Sequence, residues 1–177
     1  MRYKKAQLND IPIDLKNILM SILIPKEDRH RGLFTKGLFL YGSTGRGKTH
    51  TMYAITNAMR SSGDDFEIYS WVEALSTIKQ NFNKSSEYTP HPFESPNFSK
   101  LKAIFLDDVG VEKDSEWSQE MLYIIINKAY TQGVPVFIST NLNIKEFGIR
   151  YGERILARLE ETAIFYELKG VDHRIQK

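Results

Sequence analysis

The stretch "GLFLYGSTGRGKTH", residues 37–50, constrains the fold of this chain more than any other. Residues 37–41 are apolar enough to be a buried strand. The ten residues 41–50 then hold three glycines, one lysine and no acidic residue. Ordered glycine costs conformational entropy, so Gly42, Gly45 and Gly47 within six positions require a reason. Residues 48–61 follow with Met52, Ile55, Ala58 and Met59 at helical spacing, and Gly63 can end that helix. A strand, a glycine turn and a helix in direct succession are expected.

Gly42-x-x-x-x-Gly47-Lys48-Thr49 fits the P-loop pattern. Glycines allow successive backbone N–H groups to turn inward around phosphate oxygens, and the helix that follows adds the positive end of its dipole. Lys48 is expected to reach the β and γ phosphates of a nucleotide and Thr49 to bind Mg²⁺. The candidate nucleotide-binding set is Gly42, Ser43, Thr44, Gly45, Arg46, Gly47, Lys48, Thr49 and His50.

The rest of the chain alternates in the same way. Strands are expected at 37–41, 66–71, 102–108, 134–140 and 163–168, with helices over 48–61, 72–82, 116–131 and 150–160. The helix at 72–82 carries Leu75, Ile78 and Phe82. The helix at 116–131 turns Trp117, Met121, Ile124, Ile125 and Lys128 to one side, with Asp114 or Ser115 as its cap. Apolar strands alternating with helices predict an α/β fold, a parallel sheet covered on both faces. With 177 residues, one domain is expected. No cysteine is present, which excludes disulfides and thiolate metal sites, and a net charge of +2 gives no strong field toward nucleic acid or membrane. "ILMSILIP" (18–25) is too short to span a bilayer, so a cytoplasmic protein with no membrane partner is expected.

The third strand is apolar until Asp107 and Asp108 at its carboxyl end, where ligands bind in open α/β sheets. Asp107 suits Mg²⁺ together with Thr49. Asp108 either orients or deprotonates an attacking water, or caps the next turn. The fourth strand ends in "ISTN". Asn141 would face the acids if those strands are neighbours, holding a phosphate or the water, or else it forms a turn. Arg150, Arg154 and Arg158 fall on one face of the expected helix 150–160, opposite Ile155, Leu156 and Leu159. That face is either solvated and relieved by Glu153 and Glu161, or it meets an anion such as a nucleotide on a neighbouring subunit. Residues 83–100 hold Pro90, Pro92 and Pro96. This segment is either an exposed loop or a nucleic-acid contact, because Phe82, Tyr88, Phe93 and Phe98 interleave with Lys79, Lys84, His91 and Lys100.

Taken together, "GLFLYGSTGRGKTHTMYAITNAM", "AIFLDDVG", "ISTNL" and "YGERILARLEE" resemble the AAA+ ATPase domain of the DnaC type, the group of bacterial helicase loaders and IstB-type transposition helpers. The resemblance covers roughly residues 33–177, with 1–32 as a lead-in. It implies a five-stranded P-loop core, ATP and Mg²⁺ as cofactors, Walker A at Gly42–Thr49 and Walker B at Asp107–Asp108. It further implies Asn141 as polar sensor, Arg158 as arginine finger with Arg154 second, and Arg174 as a nucleotide-facing arginine. Implied partners are copies of the chain, assembling with ATP into an oligomer or filament, a replicative helicase or transposase, and single-stranded DNA. Only 41 residues precede Gly42 and the chain ends soon after the fifth strand, so neither a separate helicase-gripping domain nor a C-terminal lid domain is expected. Two other readings stay open: a small P-loop kinase acting on a small molecule, and a nucleotide-gated scaffold with negligible turnover.

Overall fold

A computed structural model describes residues 3–24, 33–82 and 97–170. In chain order the elements are α1 (Ile13–Ile22), β1 (Gly37–Tyr41), α2 (Lys48–Ser61), β2 (Phe66–Ser70), α3 (Trp71–Phe82), β3 (Ala103–Val109), α4 (Glu116–Gln132), β4 (Val136–Thr140), α5 (Ile144–Tyr151), α6 (Glu153–Thr162) and β5 (Ala163–Glu167). Single 3₁₀ turns occupy Leu8–Asp10 and Phe98–Lys100.

All five strands pair in parallel, in the order β2-β3-β4-β1-β5. Successive strand side chains point to opposite faces, and here both faces are apolar. Leu38, Leu40, Phe105 and Phe137 pack with Met52, Ile55 and Met59 of α2 and with Leu15 and Leu19 of α1. Phe39, Ile104, Leu106 and Ile138 face the other way, onto Leu75 and Ile78 of α3, Leu122 and Ile125 of α4, Phe147 of α5 and Ile155 of α6. Each such side chain, when fully buried, contributes about 1.5–3 kcal/mol. This double burial is why the central strands β1, β3 and β4 run apolar from their start, whereas the edge strands β2 and β5 are only partly buried and admit Glu67 and Glu167.

Three expectations are corrected. The helix expected over 150–160 is two helices, broken at Gly152, whose φ of 89° and ψ of 151° lie in a region open to glycine almost alone. Arg150 therefore ends α5, while Arg154 and Arg158 belong to α6; the three do not share a face of one helix. On α4 the inward face is Leu122, Ile125, Ile126 and Ala129, with Ile124 exposed and Trp117 and Met121 only partly covered. The cap of that helix is Ser115, whose Oγ accepts from the Ser118 N–H at 3.2 Å. Helix α1 and the short helix α5 had no counterpart in the sequence reading. The expected contacts at Lys84, Tyr88, His91 and Phe93, and Arg174, lie outside the described residues. Among the described residues no helix is long and apolar enough to cross a membrane.

Candidate functional site

The connection leaving β1 runs toward β2 at one edge of the sheet, whereas that leaving the adjacent β4 runs the other way to β5, and the glycine loop leaves the carboxyl end of β1. Such a switch point opens a crevice beyond the strand ends. Gly42, Gly45 and Gly47 all take positive φ (141°, 83° and 90°). At Gly42 a Cβ would also lie 2.7 Å from the Leu168 carbonyl oxygen, so no side chain fits. Gly47 is the N-cap of α2, leaving the first turn of that helix directed at the loop.

Lys48 is buried at the base of the loop. Its Nζ donates to the carbonyls of Gly42 at 2.6 Å and Ser43 at 2.9 Å, and to Asn141 Oδ1 at 2.7 Å. Asn141 follows β4, which is hydrogen-bonded to both β1 and β3, and the sheet order thus brings lysine and amide together across 93 residues of chain. At the next residue, Thr49 Oγ1 donates to Asp107 Oδ1 at 3.3 Å.

The two carboxylates sit on an irregularity. Leu106 pairs with Ile138, but Val109 pairs with Thr140, so β3 carries one residue more than β4 over this interval. In a regular strand Asp107 and Asp108 would point to opposite faces. The extra residue is accommodated by Asp108, at φ 57° the one non-glycine residue with positive φ among the described residues. Ser139 fixes the arrangement: its hydroxyl donates to Asp107 Oδ1 at 2.5 Å and accepts from the Asp108 N–H at 2.9 Å. Burial pushes the Asp107 carboxyl up to about 6, the Ser139 hydrogen bond opposes that rise, and the neighbouring Asp108 charge adds to it.

A cavity of about 1030 Å³ opens above these groups. Thr44 to Thr51 line it together with Asp108 and Asn141, whereas Asp107 lies beneath, behind Thr49. Residues the sequence reading did not assign line it too: Tyr3, Asp10, Ile11 and Pro12 from the lead-in, and Val111, Leu168 and Lys169. The lead-in is held there because Asn57 Nδ2 of α2 donates to the Tyr3 and Ala6 carbonyls, and Tyr3 stacks on Tyr53 at 5.0 Å. His50 Nε2 lies 3.5 Å from Asp10 Oδ2. Ser139 carries a signal in the sequence, a polar residue closing an apolar strand. The lead-in residues had no motif that would mark them.

None of the three arginines lines the cavity. Arg158 spreads its guanidinium over two rings of α4, Tyr123 at 5.1 Å and Tyr130 at 5.5 Å, and Tyr130 in turn donates to Glu161. Hydrogen bonds from Arg158 and Arg154 hold the Tyr123 phenol below its ordinary range. Arg150 is turned toward the segment after β3 instead.

The family described as the bacterial DnaA ATPase domain matches residues 28–164. Among curated proteins, the replicative helicase loader DnaC of Buchnera aphidicola is 24% identical over 158 residues, covering 89% of this chain. The chain spans between 47% and 64% of the length of the curated DnaC proteins it matches. Among solved structures, the DnaC helicase loader superposes with a TM-score of 0.75 at 20% identity, covering 95% of this chain and 99% of that one. The replication initiator DnaA bound to AMPPCP and single-stranded DNA gives 0.71 at 19% identity, covering 94% of this chain and 50% of that one. Both superpositions establish the shared fold.

Proposed function

We propose that this chain, which belongs to the bacterial DnaA ATPase-domain family and is of the DnaC-type AAA+ kind, binds and hydrolyses ATP and assembles with copies of itself in DNA replication. One observation carries the reading: the glycine loop, Lys48, Thr49, Asp108 and Asn141 line one cavity at the carboxyl ends of β1, β3 and β4, with Asp107 just beneath it, bonded to Thr49. The loop's N–H groups and the start of α2 suit phosphate oxygens. Lys48 adds a positive charge already directed at the loop. Thr49 and Asp107 are the oxygen donors that would hold Mg²⁺, which supplies neutralisation of phosphate charge. Asp108, facing the cavity, accepts the proton of the attacking water or orients it. Asn141 supplies a polar group beside it without adding charge.

Arg158, with Arg154 on the same helix, acts on the nucleotide of a neighbouring copy. Their absence from the lining of their own cavity supports a role in trans. A replicative helicase and single-stranded DNA are the proposed partners, in keeping with what the named relatives and neighbours are described as loading or binding.

Phosphate release and ATP affinity, measured for the wild type, Lys48→Ala and Asp108→Asn, test the reading. We expect Mg²⁺-dependent ATP binding that Lys48→Ala abolishes and turnover that Asp108→Asn lowers more than affinity. Unchanged ATP affinity in Lys48→Ala would remove the P-loop assignment. Gel filtration with and without ATP separates an assembling ATPase from a small-molecule kinase, which has no need to grow on nucleotide.

A further inference from the structure

Immediately after β3 the chain makes a tight turn, in which the Val111 N–H reaches the Asp108 carbonyl at 3.4 Å. Arg150, at the end of α5, grips this turn from outside. Its Nη1 donates to the Gly110 carbonyl at 2.9 Å and its Nη2 to the Glu112 carbonyl at 2.5 Å. Its Nη2 also lies 3.2 Å from Glu112 Oε1. The Glu112 side chain, only 6% exposed, turns back to accept from the Gly110 N–H at 2.9 Å, and Tyr151 donates its hydroxyl to Glu112 Oε1. Burial and this carboxylate raise the Tyr151 phenol well above its ordinary range. A buried glutamate with three donors and an arginine spanning two carbonyls form a connected network, costly to break at any single member, with Arg150 Nε left only a longer approach of 3.8 Å to Asp114 Oδ1.

Solvation of a helix end does not account for the network. A basic residue in the last turn of a helix gains from the dipole while remaining in water. The Arg150 side chain is 16% exposed and spends its planar fork on another segment, 40 residues earlier in sequence. That segment starts two residues after Asp108, which is held at φ 57°. A backbone in this region relaxes unless its surroundings over-determine it. Ser139 fixes the Asp108 N–H from one side, and the Arg150 network fixes the exit of the turn from the other.

We propose that Arg150, Glu112 and Tyr151 are positioning residues that lock the Gly110–Glu112 turn and thereby aim the Asp108 carboxylate for hydrolysis. This inference rests on the hydrolytic role given to Asp108 above.

The test uses the full chain with Arg150→Ala, Arg150→Lys and Tyr151→Phe, assayed well below their melting temperatures. Arg150→Ala should lower kcat about tenfold to a hundredfold, the usual effect of a misplaced reacting group, with KM for ATP within about twofold of the wild type. Arg150→Lys keeps the charge and loses the fork, so it should restore little. Tyr151→Phe, the mildest change, should cost about threefold in kcat and fold normally. Amide exchange gives a readout independent of turnover. Residues 108–112 should exchange about tenfold faster in Arg150→Ala, while 42–49 stay as in the wild type. Wild-type protein without phosphate release would defeat the hydrolytic reading, and with it the aim given to this turn. A turning-over wild type with unchanged kcat in Arg150→Ala, or unaltered exchange at 108–112, would overturn the positioning role alone. Full rescue by Arg150→Lys would reduce the residue to a charge.

Discussion

Replacing Asp107 with asparagine should stabilise the protein when neither metal nor nucleotide is present. Asp107 is buried, and its carboxyl sits at about 6 against an ordinary 3.8. A raised acid pKa means that the folded state binds the proton more tightly than the unfolded chain. The associated stability is fully present below 3.8 and is lost as pH rises through about 6. At pH 8 the fold therefore carries the whole penalty, about 3 kcal/mol from that interval. Asparagine never ionises, and its Oδ1 can still accept from Ser139 and Thr49, both of which donate to Oδ1 of the native carboxylate. The variant should be more stable at pH 8 by up to about 3 kcal/mol, or roughly 6–12 °C in Tm for a domain of this size. As the native carboxylate takes up its proton the gap narrows, with roughly half of it left at pH 5. Thermal melts of both proteins at pH 8, 7, 6 and 5 in chelator supply the comparison. A variant that melts below the wild type throughout, or a gap independent of pH, would refute the argument that burial dominates at Asp107. Adding Mg²⁺ and ATP should reverse the order, because only the native carboxylate would then gain from the cation.

Arg158→Ala should reduce ATPase activity while sparing nucleotide affinity, since an arginine acting from a neighbour stabilises the transition state and leaves the protomer's own ground state alone. Mixed with Lys48→Ala, it should regain activity where an intact loop meets an intact Arg158; no recovery at any ratio, with assembly confirmed by light scattering, counts against action in trans. Gly152→Ala should lower stability by about 1–3 kcal/mol through backbone strain. No neighbour lies within 4 Å of the added Cβ, so urea unfolding with an unchanged midpoint would mean that the α5–α6 break does not depend on glycine.

Much of this architecture could be read from the sequence because a two-sided parallel sheet leaves its central strands as uninterrupted apolar runs. "GLFLY", "AIFL" and "VFI" mark themselves, and the glycines after the first run mark the loop. The residues gathered at the strand ends were legible for the same reason, as polar groups where an apolar run stops. What periodicity hid was the break at Gly152: the i, i+4, i+8 spacing of Arg150, Arg154 and Arg158 persists in the sequence although the helix does not. That spacing groups Arg150 with Arg154 and Arg158 in a stripe, whereas its partners in the fold are Gly110 and Glu112. Periodicity leaves the inward face of α4 open by one position, since Ile124, Ile125 and Ile126 are equally apolar and only packing selects among them. The contribution of Tyr3, Asp10, Ile11 and Pro12 depends on a tertiary contact with α2 that no local pattern encodes.

The one-residue surplus in β3 bears on how such domains can be recombined. A strand that keeps step with its neighbours can be exchanged as a cassette, because hydrogen-bonded backbones are alike. Here the acids are out of step, and the Ser139 hydroxyl on the adjoining strand absorbs the difference by bonding to both residues of the offset. A chimera that imports the two carboxylates without that hydroxyl inherits the offset but not its restraint, and one that imports the hydroxyl alone buries a donor with nothing to meet. The two strands are therefore a single unit of exchange: β3 and β4 have to be transplanted together.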